Sequence, residues 1–164
     1  KIDDIVVNET RLLGFRVVAA NAPRGASGDI TTQPFLGVVD CGASFSVVNW
    51  RAASCLGLPP QSDAVYKKMP MVQGLGVDGR PQLLPTTNIE LSFCGNAIQS
   101  KEDKSNMSFE APPANWKPWR AVPAAIGDLP VFSQLLGDGV TPYKGPAGII
   151  GLDILSQRRV ILET

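Results

Sequence analysis

The sequence predicts a mainly β fold, a small closed barrel or sandwich of short strands with one or two short helices. Three observations carry this. Sixteen glycines and fourteen prolines interrupt 164 residues, so turns come often and no long helix has room to run. The apolar stretches are short, rich in Val, Ile, Leu and Phe, and bounded by Gly, Pro, Asn and Ser, the pattern of strands. Hydrophobic residues make up 44% and charged residues 18%, which supplies a real core and argues against a disordered chain. The length suits a single domain over residues 1–164.

Residues 11–20 read as a strand, and the Pro-, Gly- and Ser-containing stretch 21–32 as a loop. Residues 35–40 form a second, nearly all-apolar strand. Asn49 is placed to cap a short helix, Trp50 to Leu56, that Gly57 and Pro59 end. Residues 64–72 and 82–84, broken by Pro70, Pro81 and Pro85, read as edge strands around a glycine-rich turn. Thr86 to Phe93 alternates like a strand. Residues 95–120 look like a polar surface insertion with a strand at 107–111. Residues 121–126 are a strand, 131–136 a helical turn, 139–148 a loop, 153–157 a short helix and 159–162 a closing strand.

Fifteen basic and fifteen acidic residues cancel, so charge offers nothing to nucleic acid or an anionic membrane. No apolar run approaches the roughly 20 residues that cross a bilayer. Histidine is absent, which removes Ser-His and Cys-His catalysis and His-metal centres. Cys41, Cys55 and Cys94 have no metal-like spacing and make no disulfide framework, which mildly favours a reducing compartment. The compartment itself stays open, because a targeting segment can lie outside 1–164.

The glycines of Gly74-Leu75-Gly76-Val77-Asp78-Gly79 match a dinucleotide fingerprint, but Pro81 and Pro85 forbid the helix that such a site needs. A β-hairpin tip fits better. More telling is Val38-Val39-Asp40-Cys41-Gly42-Ala43-Ser44. Here a carboxylate directly follows an apolar strand, where partial desolvation is expected. A desolvated carboxylate is expensive unless it shares a proton with another.

The Asp40-Cys41-Gly42-Ala43-Ser44 segment resembles the D-T/S-G-A core of the aspartic proteases. Gly148-Ile149-Ile150-Gly151-Leu152-Asp153 resembles the apolar–Gly–x–D/N segment before their last helix, and 72–76 sits where that family carries its flap. Ile126 to Phe132 resembles a stretch seen before the final motif in non-viral members. Three motifs in this order make the chain similar to the single-domain retropepsin-like aspartic proteases over about residues 11–164.

The resemblance implies a closed barrel with a flap hairpin and a homodimer, because one chain carries one such motif. Asp40 is the implied catalytic residue, one from each chain, with no metal or cofactor. Gly42, Ala43 and Ser44, flap residues Gly74, Leu75, Gly76 and Val77, and Ile150 and Leu152 are the implied substrate-binding residues. An extended peptide or protein segment is the implied substrate. The chain ends, the first few residues and 159–164, are implied dimer contacts.

Two departures stand out. Cys41 replaces the usual hydroxyl in the dimer's active-site loop, and a thiol is a poor hydrogen-bonding partner. Ser44 and Leu152 replace an Asp and an Arg of viral members, which removes an ion pair whole. The rival expectation is a catalytically weak binding or assembly module. Asp128 and Asp153 read as turn or cap residues, Cys55 and Cys94 as core residues, and Trp116 and Trp119 as packing within the insertion.

Overall fold

The structure, a computed structural model, describes residues 3–7, 10–75, 80–99 and 107–159. The chain begins with β1 (Asp3–Val7) and β2 (Thr10–Ala19). β3 (Phe35–Val39) and β4 (Ser46–Val48) flank the loop 40–45, and α1 (Trp50–Cys55) follows. A 3-10 turn (Ala64–Lys68) leads into a hairpin of β5 (Met71–Leu75) and the long β6 (Pro81–Cys94). β7 (Ala97–Gln99) and β8 (Met107–Phe109) form a separate pair. β9 (Trp119–Ile126), α2 (Pro130–Leu136), β10 (Ala147–Ile150) and α3 (Leu152–Leu155) complete the described chain.

The protein is mainly β, with a mixed sheet and few helices. The main sheet runs β1-β2-β3-β10-β4-β9-β6-β5, and β2 also pairs with β6. The pairings from β2 round to β6 therefore make a closed circuit, with β1 and the β5 arm outside it. β6 can serve three partners because it is long: 81–85 face β5, 86–91 face β9 and 91–94 face β2.

One crossing positions everything that follows. β10 lies between β3 and β4, parallel to β3 (Ile150 opposite Val39) and antiparallel to β4 (Gly148 opposite Val48). The loop 40–45 must therefore pass around the end of β10. Gly151 permits this, because a Cβ there would come within 2.8 Å of the Ala43 oxygen and 2.9 Å of the Phe45 oxygen.

The barrel interior holds Val17, Phe35, Ile89, Leu91, Ile126 and Ile150. A second cluster, Val47, Leu84, Ala125, Phe132 and Ile149, sits toward the hairpin and α2, and Ala43 and Val72 pack against it. Gly74 and Gly127 make room for Leu84, whose methyls lie 2.9 and 2.5 Å from where their Cβ atoms would be. α1 starts as its residues dictate: the Asn49 side chain accepts from the Ala52 N–H at 2.9 Å. It ends at Gly57, whose φ of +79° suits glycine.

Several expectations are corrected. Residues 64–68 form a 3-10 turn, not an edge strand, because Asp63 caps it through the Val65 N–H. Segment 95–120 is no mere surface insertion. Phe109 is buried and exchanges two 2.8 Å backbone hydrogen bonds with Ile30, and Trp119 packs into the main core. Cys55 is exposed, while Cys94 is buried as expected. β1, β4, β7 and β10 are strands that the residue pattern did not predict. The predicted closing strand at 159–162 falls almost entirely outside the described residues.

Candidate active site

Asp40 is the first residue beyond β3, where the chain leaves the sheet to cross β10. Its N–H donates to the Ile150 carbonyl at 3.0 Å, which continues the β3–β10 ladder by one residue. Its Oδ1 accepts the Gly42 N–H at 2.8 Å. Its carbonyl accepts the Ala43 N–H at 3.2 Å, so 40–43 is a tight turn. The Ala43 carbonyl in turn accepts the Leu152 N–H at 2.8 Å. The loop is thus fastened to β10 and α3 at both of its sides. Oδ2 of Asp40 has no partner among the described residues.

Asp40 is exposed, which corrects the expectation of a partly desolvated carboxylate. The reason is positional: one residue past the strand, nothing within the described chain covers it. Cys41, Gly42 and Ser44 are exposed too, and Ala43 is half-buried. Leu152 is 44% exposed beside them. Ile150, expected on a pocket wall, is fully buried among the barrel residues and supports the loop from below.

The hairpin expected as a flap is present. Gly74 pairs with Gln82 and Leu75 with Pro81. Gly76 and Val77 lie outside the described residues. Leu84, at the base of the hairpin, joins the cluster on which Ala43 packs, so the hairpin and the Asp40 loop share one side of the barrel. β1, at the expected dimer contact, pairs with β2 of its own chain as the outermost strand of the sheet.

Asp153 departs from its sequence expectation. Asp153 does not cap α3; Gly151 occupies that position. Instead Asp153 Oδ2 accepts the Ser46 N–H at 2.8 Å and Oδ1 accepts the Ser46 hydroxyl at 2.7 Å. The Ser46 hydroxyl oxygen accepts the Gly151 N–H at 2.9 Å. Ser46 is fully buried. This relay clamps the far end of the Asp40 loop to α3. The one signal available was an acid two residues after Gly151, and it suited a helix cap equally well. Asp128 does act as a cap, but for α1, accepting the Trp50 N–H at 3.1 Å.

Among the described residues, no group of His, Cys, Asp and Glu could hold a metal ion. No described helix is long and apolar enough to cross a membrane. No family model matches the chain, and comparison with curated proteins and with solved structures finds no match.

Proposed function

We propose that this chain is an aspartic endopeptidase of retropepsin type, active as a homodimer on extended peptide segments. The observation that carries the reading is the Asp40 loop. A carboxylate stands at a strand end, braced by backbone hydrogen bonds to β10 and α3, with one oxygen unpartnered among the described residues and a glycine-containing hairpin on the same side.

One chain offers one such carboxylate. Asp153, the acid bound to the same loop, has both oxygens engaged by Ser46 and cannot serve as a second acid without releasing the loop. A partner chain supplies the second Asp40. Two close carboxylates share one proton, since both cannot readily ionise. The ionised Asp40 takes a proton from water as its oxygen attacks the scissile carbonyl carbon. The protonated Asp40 gives its proton to the carbonyl oxygen, and a tetrahedral diol forms. The Asp40 that took the water's proton then gives it to the amide nitrogen while the other, now ionised, takes a proton from a diol hydroxyl; the C–N bond breaks, acid and amine leave, and the dyad again shares one proton. The substrate backbone pairs as an added strand between the loop and the hairpins.

A second reading is a binding or assembly module of the same architecture. Cys41 favours it, because its exposed thiol makes no hydrogen bond among the described residues where a hydroxyl would brace the dimer. Cleavage of a degenerate peptide library between pH 4 and 7 by wild type and by Asp40→Asn separates them. Cleavage by wild type alone supports the protease. Equal cleavage by both removes Asp40 from the chemistry. No cleavage by a demonstrated dimer supports the module.

A further inference from the structure

A groove of about 530 Å³ lies beside the hairpin, between the α1 to 3-10 segment and the base of β6. Its size is that of a ligand site. Trp50 and Tyr66 line it and meet edge to face, with ring centroids 4.9 Å apart. Tyr66 is held by its hydroxyl, which donates to the Pro59 carbonyl at 2.6 Å. Met71 and Leu83, 45% and 72% exposed, line it as well.

The polar groups at this groove are unusual in their fixation. Asp63 Oδ1 accepts the Val65 N–H at 2.9 Å, and Asp128 Oδ1 accepts the Trp50 N–H at 3.1 Å. Each carboxylate is thereby oriented by backbone and keeps Oδ2 without a partner among the described residues. Neither is in an ion pair among the described residues. Among the described lining residues Lys67 is the one cation, and it pairs with neither acid. The described lining therefore carries one net negative charge beside an aromatic pair.

We propose that this groove receives an arginine or lysine side chain from an extended peptide. Its apolar stem would lie over Trp50 and Met71, and its cation would meet the free oxygens of Asp63 and Asp128. An aromatic face, an aliphatic wall and two fixed anions together fit a basic side chain better than an acidic or purely apolar one. The inference rests on the proposed peptide-cleaving function for its biological sense: Leu84 connects the groove to the cluster beneath the Asp40 loop. Occupancy would then select substrates with a basic residue distal to the scissile bond.

The test is an NMR titration of the Trp50 indole in the Asp40→Asn protein, which binds without turnover. The probes are N-acetyl methylamides of arginine, norleucine and glutamate. Arginine is expected to bind about fivefold tighter than norleucine, the order for a partly exposed ion pair. Asp63→Asn and Asp128→Asn keep their backbone hydrogen bonds and are expected to abolish the preference. Lys67→Ala is expected to tighten arginine binding, a gain that damage to the fold cannot imitate. Equal binding of norleucine, preference for glutamate, or no arginine-dependent shift would overturn the proposal. Cleavage by the wild-type protein is read separately, so a silent groove with Asp40-dependent cleavage refutes only this inference. Binding of arginine without any cleavage refutes the substrate role and leaves a basic-peptide site.

Discussion

Asp153→Ala is the sharpest test of how the Asp40 loop is held. The substitution removes a charged acceptor from two donors of one buried residue, the Ser46 N–H at 2.8 Å and its hydroxyl at 2.7 Å. A hydrogen bond to a charged group contributes about 1.5–3 kcal/mol, and a buried donor left alone costs about as much. Asp153 is half-buried, so water replaces part of what is lost. A net cost of about 3 kcal/mol follows. For a protein of this size each kcal/mol lowers Tm by about 2–4 °C, so the expected fall is about 6–12 °C. The assay is thermal unfolding followed by circular dichroism at one fixed protein concentration, because any self-association makes Tm depend on concentration. Asp153→Asn keeps an acceptor for the Ser46 N–H and is expected to lose less than half as much. A fall under about 2 °C for Asp153→Ala would mean that the relay does not hold the loop.

Further outcomes can be checked independently. Cys94 is buried and its thiol is pushed up to about 11 by desolvation, whereas Cys41 and Cys55 are exposed; a thiol reagent at pH 8 is expected to label two cysteines in the native protein and the third only on unfolding. Asp138 is held down to about 2, first by the Thr141 hydroxyl and then by backbone N–H groups of Val140 and Thr141. Its contribution to stability is thus present above its ordinary value of 3.8 and fades as pH falls toward the folded value. An NMR titration is expected to give that low midpoint, and Thr141→Val to raise it toward 3.8. The Arg158 guanidinium lies 3.8 Å from the Trp116 ring centroid and 4.6 Å from that of Trp119. Arg158→Ala is expected to cost about 1 kcal/mol in denaturant unfolding and to change the tryptophan fluorescence.

Much of the fold is legible in residue patterns, and the exceptions share physical causes. The Asn49 cap, the 86–93 strand and the hairpin at Gly74 are local features, set by neighbours in sequence. β10 is not: Gly148-Ile149-Ile150 is short, ends at Gly151, and becomes a strand only because β3 and β4 leave a slot between them. Ser46 and Asp153 are distant in sequence and meet only through that same crossing. A residue pattern lists both but cannot pair them. The prediction of a desolvated Asp40 failed for a related reason, since an apolar strand says how residues 35–39 are buried and nothing about the residue after its end. In the 95–120 segment, charged neighbours masked Phe109, whose burial depends on a backbone match with Ile30.

The central claim, one catalytic carboxylate from each of two chains, is most directly tested by subunit mixing. Wild type and Asp40→Asn are combined in equal amounts, allowed to exchange subunits, and assayed for peptide cleavage at fixed total protein. A shared dyad predicts about one quarter of the wild-type rate, because random pairing leaves that fraction of dimers with two Asp40 carboxylates. About one half of the wild-type rate would mean that each chain cleaves on its own, and would contradict the shared dyad.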